Sequence, residues 1–267
     1  MTTPDWRPRL IALDIDGTIA RMGENEIAPA VRAAIARAVG HGAHVVLSTG
    51  RTLVGARRVI EALDLPDAVV LCSNGAVWWD GAVNAVVKRT AFDTGVLVAK
   101  LTDLLPGAAY AAELVGEGNL VLGPWPDGHL WGVRRFVEFD EFVALPTPRL
   151  VAFWADHTPE EMALRVMDVS VPGVEWTIDH HVPWLTAVPA GVTKGAELEA
   201  LRVRLGVSAD DTLAIGDGSN DVEMLRWAAL GVAMGQAPAV VQEAADTVTG
   251  TIFDDGAAAV LDRYFPA

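Results

Sequence analysis

Apolar residues recur along the chain in short runs, over 10–13, 45–47, 68–72, 213–215 and 232–234, and each run ends in Gly, Ser, Thr, Asp or Asn. Runs this short cannot make helices, so they predict buried strands closed by turn-forming residues. Between them, apolar positions recur at helical spacing over 29–39, 52–63, 193–205, 221–229 and 238–245, with Gly40 and Gly206 placed as C-terminal stops. Strands that alternate with helices predict an α/β fold with a parallel sheet.

The stretch from about 81 to 189 reads differently. Turn-rich segments such as GEGN and GPWPDGH separate short strand-like runs, and only 94–105 and 159–169 carry a helical pattern. This predicts an α+β insert in the middle of the chain. Five of the nine tryptophans fall there (Trp125, Trp131, Trp154, Trp176 and Trp184), which suits an insert with a core of its own.

Composition narrows the function. With 51% apolar and 21% charged residues the chain is an ordinary folding sequence. A net charge of -15 argues against a broad basic surface for nucleic acid or anionic lipid, and means that an anionic substrate would need local cations. Cys72 is the sole cysteine, so no intrachain disulfide can form, and a reducing, cytoplasmic location is expected. Neither a signal-peptide core nor an 18-residue apolar run is present, so no membrane association is expected.

The chemistry gathers where strands end. The first strand runs into Asp14-Ile15-Asp16-Gly17-Thr18, the second into Ser48-Thr49-Gly50-Arg51, the third into Ser73-Asn74-Gly75, and the strand near 215 into Gly216-Asp217-Gly218-Ser219-Asn220-Asp221. Residues two apart on a strand face one side, so Asp14 and Asp16 converge at the C-terminal edge of the sheet, where open α/β folds place ligands. Alone, the DxDG pattern also fits a strand-ending turn in which both Asp cap backbone groups. Four oxygen-rich strand ends on one rim suit phosphoryl transfer better: a hard metal, donors for phosphate oxygens and a nucleophile. Asp14, Asp217, the Asp16 carbonyl and a phosphate oxygen would suffice for Mg²⁺, which suits the site better than zinc. Lys194 stands at a predicted helix start, a poor place for a lysine unless it faces phosphate and carboxylate.

In this order and spacing, DIDGT at Asp14–Thr18, STGR at Ser48–Arg51, SNGA at Ser73–Ala76, TKG at Thr193–Gly195 and GDGSND at Gly216–Asp221 resemble the haloacid dehalogenase-like phosphatases, specifically the Cof-type branch with a class IIB cap. The resemblance implies a Rossmann-like doubly wound core over 1–81 and 190–267 and a cap domain over 82–189. It implies Asp14 as nucleophile, Asp16 as general acid then base, Thr49 and Lys194 as phosphate holders, and Asp217 with Asp221, Asp14 and Asp16 at the Mg²⁺ site. Gly50, Arg51, Asn74, Gly75 and Asn220 are expected to contact substrate or phosphate. The expected partner is a small phosphorylated metabolite, a phosphosugar or phosphoglycerate derivative, hydrolysed through an aspartyl-phosphate.

Two other readings share this core: a phosphomutase that returns the phosphoryl group to sugar, and a regulator that only binds a phosphometabolite. A dinucleotide-binding oxidoreductase is set aside, because no G-x-G-x-x-G follows the first strand. His180 and His181 follow Asp179; on a strand they would point to opposite faces, so at most one is expected to face the site. Arg134 and Arg135 read as surface residues or as a second anion site, Trp125, Trp131 and Trp184 as core or as sugar platforms, and Cys72 as core.

Overall fold

The computed structural model describes residues 6–126, 128 and 130–266. In chain order the strands are β1 (Leu10–Leu13), β2 (His44–Ser48), β3 (Val69–Cys72), β4 (Val77–Asp80), β5 (Ala85–Arg89), β6 (Ala109–Leu114), β7 (Gly118–Leu122) and β8 (Val133–Phe136). They continue with β9 (Leu150–Phe153), β10 (Val174–Ile178), β11 (Trp184–Pro189), β12 (Thr212–Gly216), β13 (Leu230–Ala233) and β14 (Thr247–Val248). They form two sheets, one in the order β14-β13-β12-β1-β2-β3-β4-β5 and one in the order β10-β11-β9-β6-β7-β8.

From β14 to β3 the first sheet is parallel, as the alternation of short apolar runs and helices predicts. Each strand residue alternates between two cores. Ile11 and Leu13 pack with the helices Pro29–Gly40, Leu53–Leu63 and Gly256–Tyr264, whereas Leu10 and Ala12 pack with Lys194–Leu205 and Val222–Trp227. Helices on both faces make it doubly wound. β1 lies between β12 and β2, so the ends of these strands, and of β3 beside β2, open on one edge.

Three differences from the sequence expectation are physical. Ala85–Arg89, inside the stretch read as insert, extends the first sheet through an antiparallel β3-β4-β5 meander. Its valines Val86 and Val87 are exposed on an edge strand, so they leave little periodic signal. The helical patterns over 221–229 and 238–245 shorten to Val222–Trp227 and Ala239–Gln242. The helix Gly256–Tyr264, not foreseen, buries Ala257, Val260 and Leu261 against the Pro29–Gly40 helix and β-sheet.

The second sheet, all of it from the insert, has its own core. Tyr110 and Ala112 of β6, Leu120 of β7, Leu150 and Ala152 of β9, and Leu185 and Ala187 of β11 bury one face under the helices Gly95–Leu104 and Pro159–Val166. The alternate residues form the opposite face, where Ala109, Ala111, Val121, Trp125 and Val151 make a smaller cluster beside Phe153 and Trp184. This second face looks toward the open edge of the first sheet, since Ser73 after β3 hydrogen-bonds Glu113 of β6. Among the described residues no helix is long and apolar enough to cross a membrane.

Candidate active site

Asp14 is the first residue past β1, and its N–H donates to the Ile215 carbonyl of β12 at 3.0 Å, which fixes it at the seam of the two strands. Its carboxylate is buried. Lys194, at the first position of its helix behind the Thr193 cap, is 1% exposed and donates to Asp14 Oδ1 at 2.6 Å and to Asp221 Oδ1 at 2.5 Å. Burial alone would lower the Lys194 pKa, but Asp14 and Asp221 more than offset it and hold the ammonium charged. The unfavourable helix-dipole position is thus balanced by two buried carboxylates.

One oxygen each from Asp14, Asp217 and Asp221 falls within a common 4.8 Å. Burial, and then the Asp221 charge, raises Asp14 well above the usual carboxylate range despite Lys194. The same two causes push Asp217 up to about 7. Three crowded carboxylates facing a single lysine therefore carry an excess of negative charge, which an oxygen-seeking divalent cation would relieve. Gly17 keeps that space open: at φ +80°, a Cβ there would lie 2.0 Å from Asp217 Oδ2. The donor set fits Mg²⁺.

The expected ligands divide into different jobs. Asp221 is fully occupied, with Oδ1 on Lys194 and Oδ2 accepting from the Asp217 and Gly218 N–H groups at 3.0 and 2.9 Å. It shapes the Asp217 loop more than it offers a vacant ligand atom. The Asp16 carboxylate lies outside the cluster, held by Arg51 through Nε to Oδ2 at 2.8 Å and Nη2 to Oδ1 at 2.7 Å, with Gly23 N–H also donating at 2.9 Å. Arg51, expected at substrate, is buried against Asp16, Asn25, the Glu24 carbonyl and the Trp131 ring.

Thr49 Oγ1 accepts from Arg51 N–H at 3.1 Å, while Asn74, held at φ 57°, accepts from Asn220 Nδ2 at 2.8 Å. Gly50 lies against that amide pair. Gly75 belongs elsewhere: the space above its Cα is filled by Glu197, so its role is to admit the Lys194–Leu205 helix. His180 and His181 both line the cavity, because Asp179 Oδ1 accepts from His181 and Val182 N–H and makes the segment a turn, where strand alternation does not apply. Trp125 packs edge-on against Trp184, and Cys72 is buried in the core with its thiol pushed up by burial. Arg135 pairs with Glu141 at the surface.

Asp14, Asp16 and Asp217 line a cavity of about 380 Å³ with Arg51, Asn119, Trp131, Arg149, Trp184 and Gln236. A larger one, about 470 Å³, shares the Asn74–Asn220 pair and is lined by valines such as Val171 and Val188 together with polar residues, Thr193, Lys194 and Glu223 among them. The carboxylates place the chemistry in the first. Sequence reading missed Gln236, whose Nε2 donates to the Gly17 carbonyl at 2.6 Å and to Asp217 Oδ2 at 3.2 Å. It also missed Glu113, Asn119 and Arg149; single polar residues within β6 and β7 and immediately before β9, set among apolar neighbours, were the available signal.

The haloacid dehalogenase-like hydrolase family matches residues 11–119 and 175–261. The chain belongs to that family. A 5-amino-6-(5-phospho-D-ribitylamino)uracil phosphatase of Bacillus subtilis, YcsE, is 29% identical over 96% of this chain and 95% of its own. A phosphoglycolate phosphatase of Natronomonas pharaonis is 33% identical over 95% and 96%. Among solved structures, the HAD subclass IIB sugar phosphatase BT4131 superposes with a TM-score of 0.82 at 25% identity, over 96% of this chain and 98% of its own. The Cof-type, class IIB resemblance read from five short motifs is borne out, as is the phosphatase class.

Proposed function

We propose that this chain is a Mg²⁺-dependent phosphatase that hydrolyses a small phosphorylated metabolite, a phosphosugar or phosphoglycerate derivative, through an aspartyl-phosphate on Asp14. The observation that carries the reading is the buried Asp14 carboxylate, tethered at one oxygen by Lys194 and set beside Asp217 in a cavity of metabolite size.

Lys194 occupies Asp14 Oδ1, which leaves Oδ2 to attack phosphorus. As that P–O bond forms, the bond to the leaving oxygen breaks, and a protonated Asp16 gives its proton to the departing alkoxide. Asp16 then takes a proton from water, whose oxygen bonds to phosphorus while the bond to Asp14 breaks, releasing phosphate and restoring the Asp14 carboxylate and the protonated Asp16 that began the cycle. Asn74 and Asn220, which line the cavity, and Thr49, which follows β2, are the proposed donors for phosphate oxygens. Mg²⁺, held by Asp14, Asp217 and the Asp16 carbonyl with Asp221 behind, would supply positive charge for the phosphoryl oxygens. The sheet of the insert acts as a cap, and the cytoplasm is the fitting compartment for a chain whose one cysteine is a buried thiol.

The test is phosphate release from a panel of phosphosugars, phosphoglycerate derivatives and nucleotides, with Mg²⁺ or EDTA, for the native chain and Asp14→Asn. Release that needs Mg²⁺ and disappears in Asp14→Asn is expected. Phosphoryl transfer to sugar without free phosphate would replace hydrolase by mutase.

A further inference from the structure

Arg149 immediately precedes β9 and lies across from Glu113, whose N–H donates to the Arg149 carbonyl at 3.0 Å. It is 8% exposed and lines the same cavity as Asp14, Asp16 and Asp217. Its guanidinium makes no hydrogen bond or ion pair with any described residue, and Nε is fully buried without a partner. Burial of this kind ordinarily comes with a carboxylate in bidentate contact, because a desolvated cation is costly. No carboxylate nearby pairs with it: Glu113 gives Oε2 to Ser73 and keeps a buried Oε1 without a hydrogen-bond partner, so it offsets the Arg149 charge only at a distance, while both oxygens of Asp16 are on Arg51 and Asp179 caps its own turn. Trp184 lies under one side, its ring centre 6.0 Å from the guanidinium carbon. Beside it Asn119 gives its Nδ2 to the Trp131 carbonyl at 3.0 Å, while its Oδ1 is buried and unpartnered.

Resting on the phosphatase reading above, we propose that Arg149 binds a second anionic group of the substrate, a carboxylate or a second phosphate, carried on the part that leaves as the alcohol. The reacting phosphoryl group already has Lys194 and the strand-end donors on the first sheet, whereas Arg149 comes from the opposing sheet, across the cavity. Asn119 Oδ1 beside it accepts a hydroxyl of the same leaving group. A monophosphate with no further charge leaves the buried guanidinium without a hydrogen-bonded anion and is the poorer substrate.

The experiment compares matched esters that differ in the second charge: 2-phosphoglycolate against 2-hydroxyethyl phosphate, and glucose 1,6-bisphosphate against glucose 6-phosphate, for the native chain, Arg149→Met and Arg149→Lys. A charge-assisted hydrogen bond is worth about 1.5–3 kcal/mol, or roughly 10- to 150-fold. The native chain should prefer one of the doubly anionic esters, and Arg149→Met should lower its kcat/KM by about that factor, mostly through KM, with less than about threefold change on the matched ester. Arg149→Lys should recover part of the loss. The pair that responds tells carboxylate from phosphate. Equal losses on both members of each pair, or no native preference, overturn the proposal. Calorimetric binding of the same four esters to Asp14→Asn separates the two readings. Arg149-dependent selectivity in binding without turnover in the native chain leaves the anion site standing and the hydrolase reading fallen.

Discussion

Arg51 grips Asp16 by both carboxylate oxygens, at 2.8 and 2.7 Å, while its own remaining donors reach Asn25 Oδ1 and the Glu24 carbonyl. A carboxylate so held cannot meet a leaving-group oxygen until one of the two bonds is released. Arg51 therefore sets the orientation of Asp16 and the ease with which it changes partner. Arg51→Lys keeps the charge but loses the fork, so kcat should fall by about 10- to 100-fold with a smaller effect on KM. Steady-state kinetics decides this; a loss confined to KM would make Arg51 a substrate contact instead.

Lys194 bridges Asp14 and Asp221, and its side chain is fully buried between them. Removing one partner from a buried ionic group costs about 3–5 kcal/mol. Lys194→Met should lower the urea midpoint accordingly and abolish turnover. Lys194→Met combined with Asp221→Asn should regain part of the stability but none of the activity, since only the repulsion is relieved. Full additivity of the two substitutions in urea titrations would argue that the three groups are not coupled.

The sequence displayed this much because Asp14, Lys194, Asp217 and Asp221 sit in short contiguous motifs at the ends of strands or helices, and a parallel sheet brings such ends to one edge. Arg51 was visible as a site residue but its bond to Asp16 was not, because it depends on how the 21–25 loop folds back. Gly75 was read together with Asn74, which lines the cavity, but the contact that leaves no room for a side chain on it is with Glu197, 122 positions away. Arg149, Asn119 and Glu113 became meaningful only when the second sheet turned one face toward the first.

Metal-free stability should depend on pH in a defined direction. Burial and then Asp221 raise Asp217 to about 7, above the ordinary value near 3.9, so the folded chain binds this proton more tightly than the unfolded chain. The stabilisation is complete below about pH 4 and is lost as the pH rises through about 7. Asp14 is raised by the same causes and acts in the same sense. In EDTA, the melting temperature should drop between pH 5 and 7.5, and Mg²⁺ should raise it more at pH 7.5, where fewer protons compete. A Mg²⁺ shift equal at both pH values, measured by thermal melts, would place the ion away from these carboxylates.

Gly17 and Gly23 give a matched pair for the metal site. Both have positive φ, +80° and +71°, so alanine incurs a comparable backbone strain of about 1–2 kcal/mol at either. They differ in what the new methyl meets: 2.0 Å to Asp217 Oδ2 at Gly17, nothing within 4 Å at Gly23. Gly17→Ala must therefore displace the Asp217 carboxylate from Asp14, whereas Gly23→Ala leaves it in place. The Mg²⁺ concentration for half-maximal phosphate release should rise by at least about tenfold in Gly17→Ala and stay within about twofold in Gly23→Ala, with similar small losses of melting temperature. Equal loss of Mg²⁺ affinity in both variants would mean that loop strain, and not the position of Asp217, governs the metal.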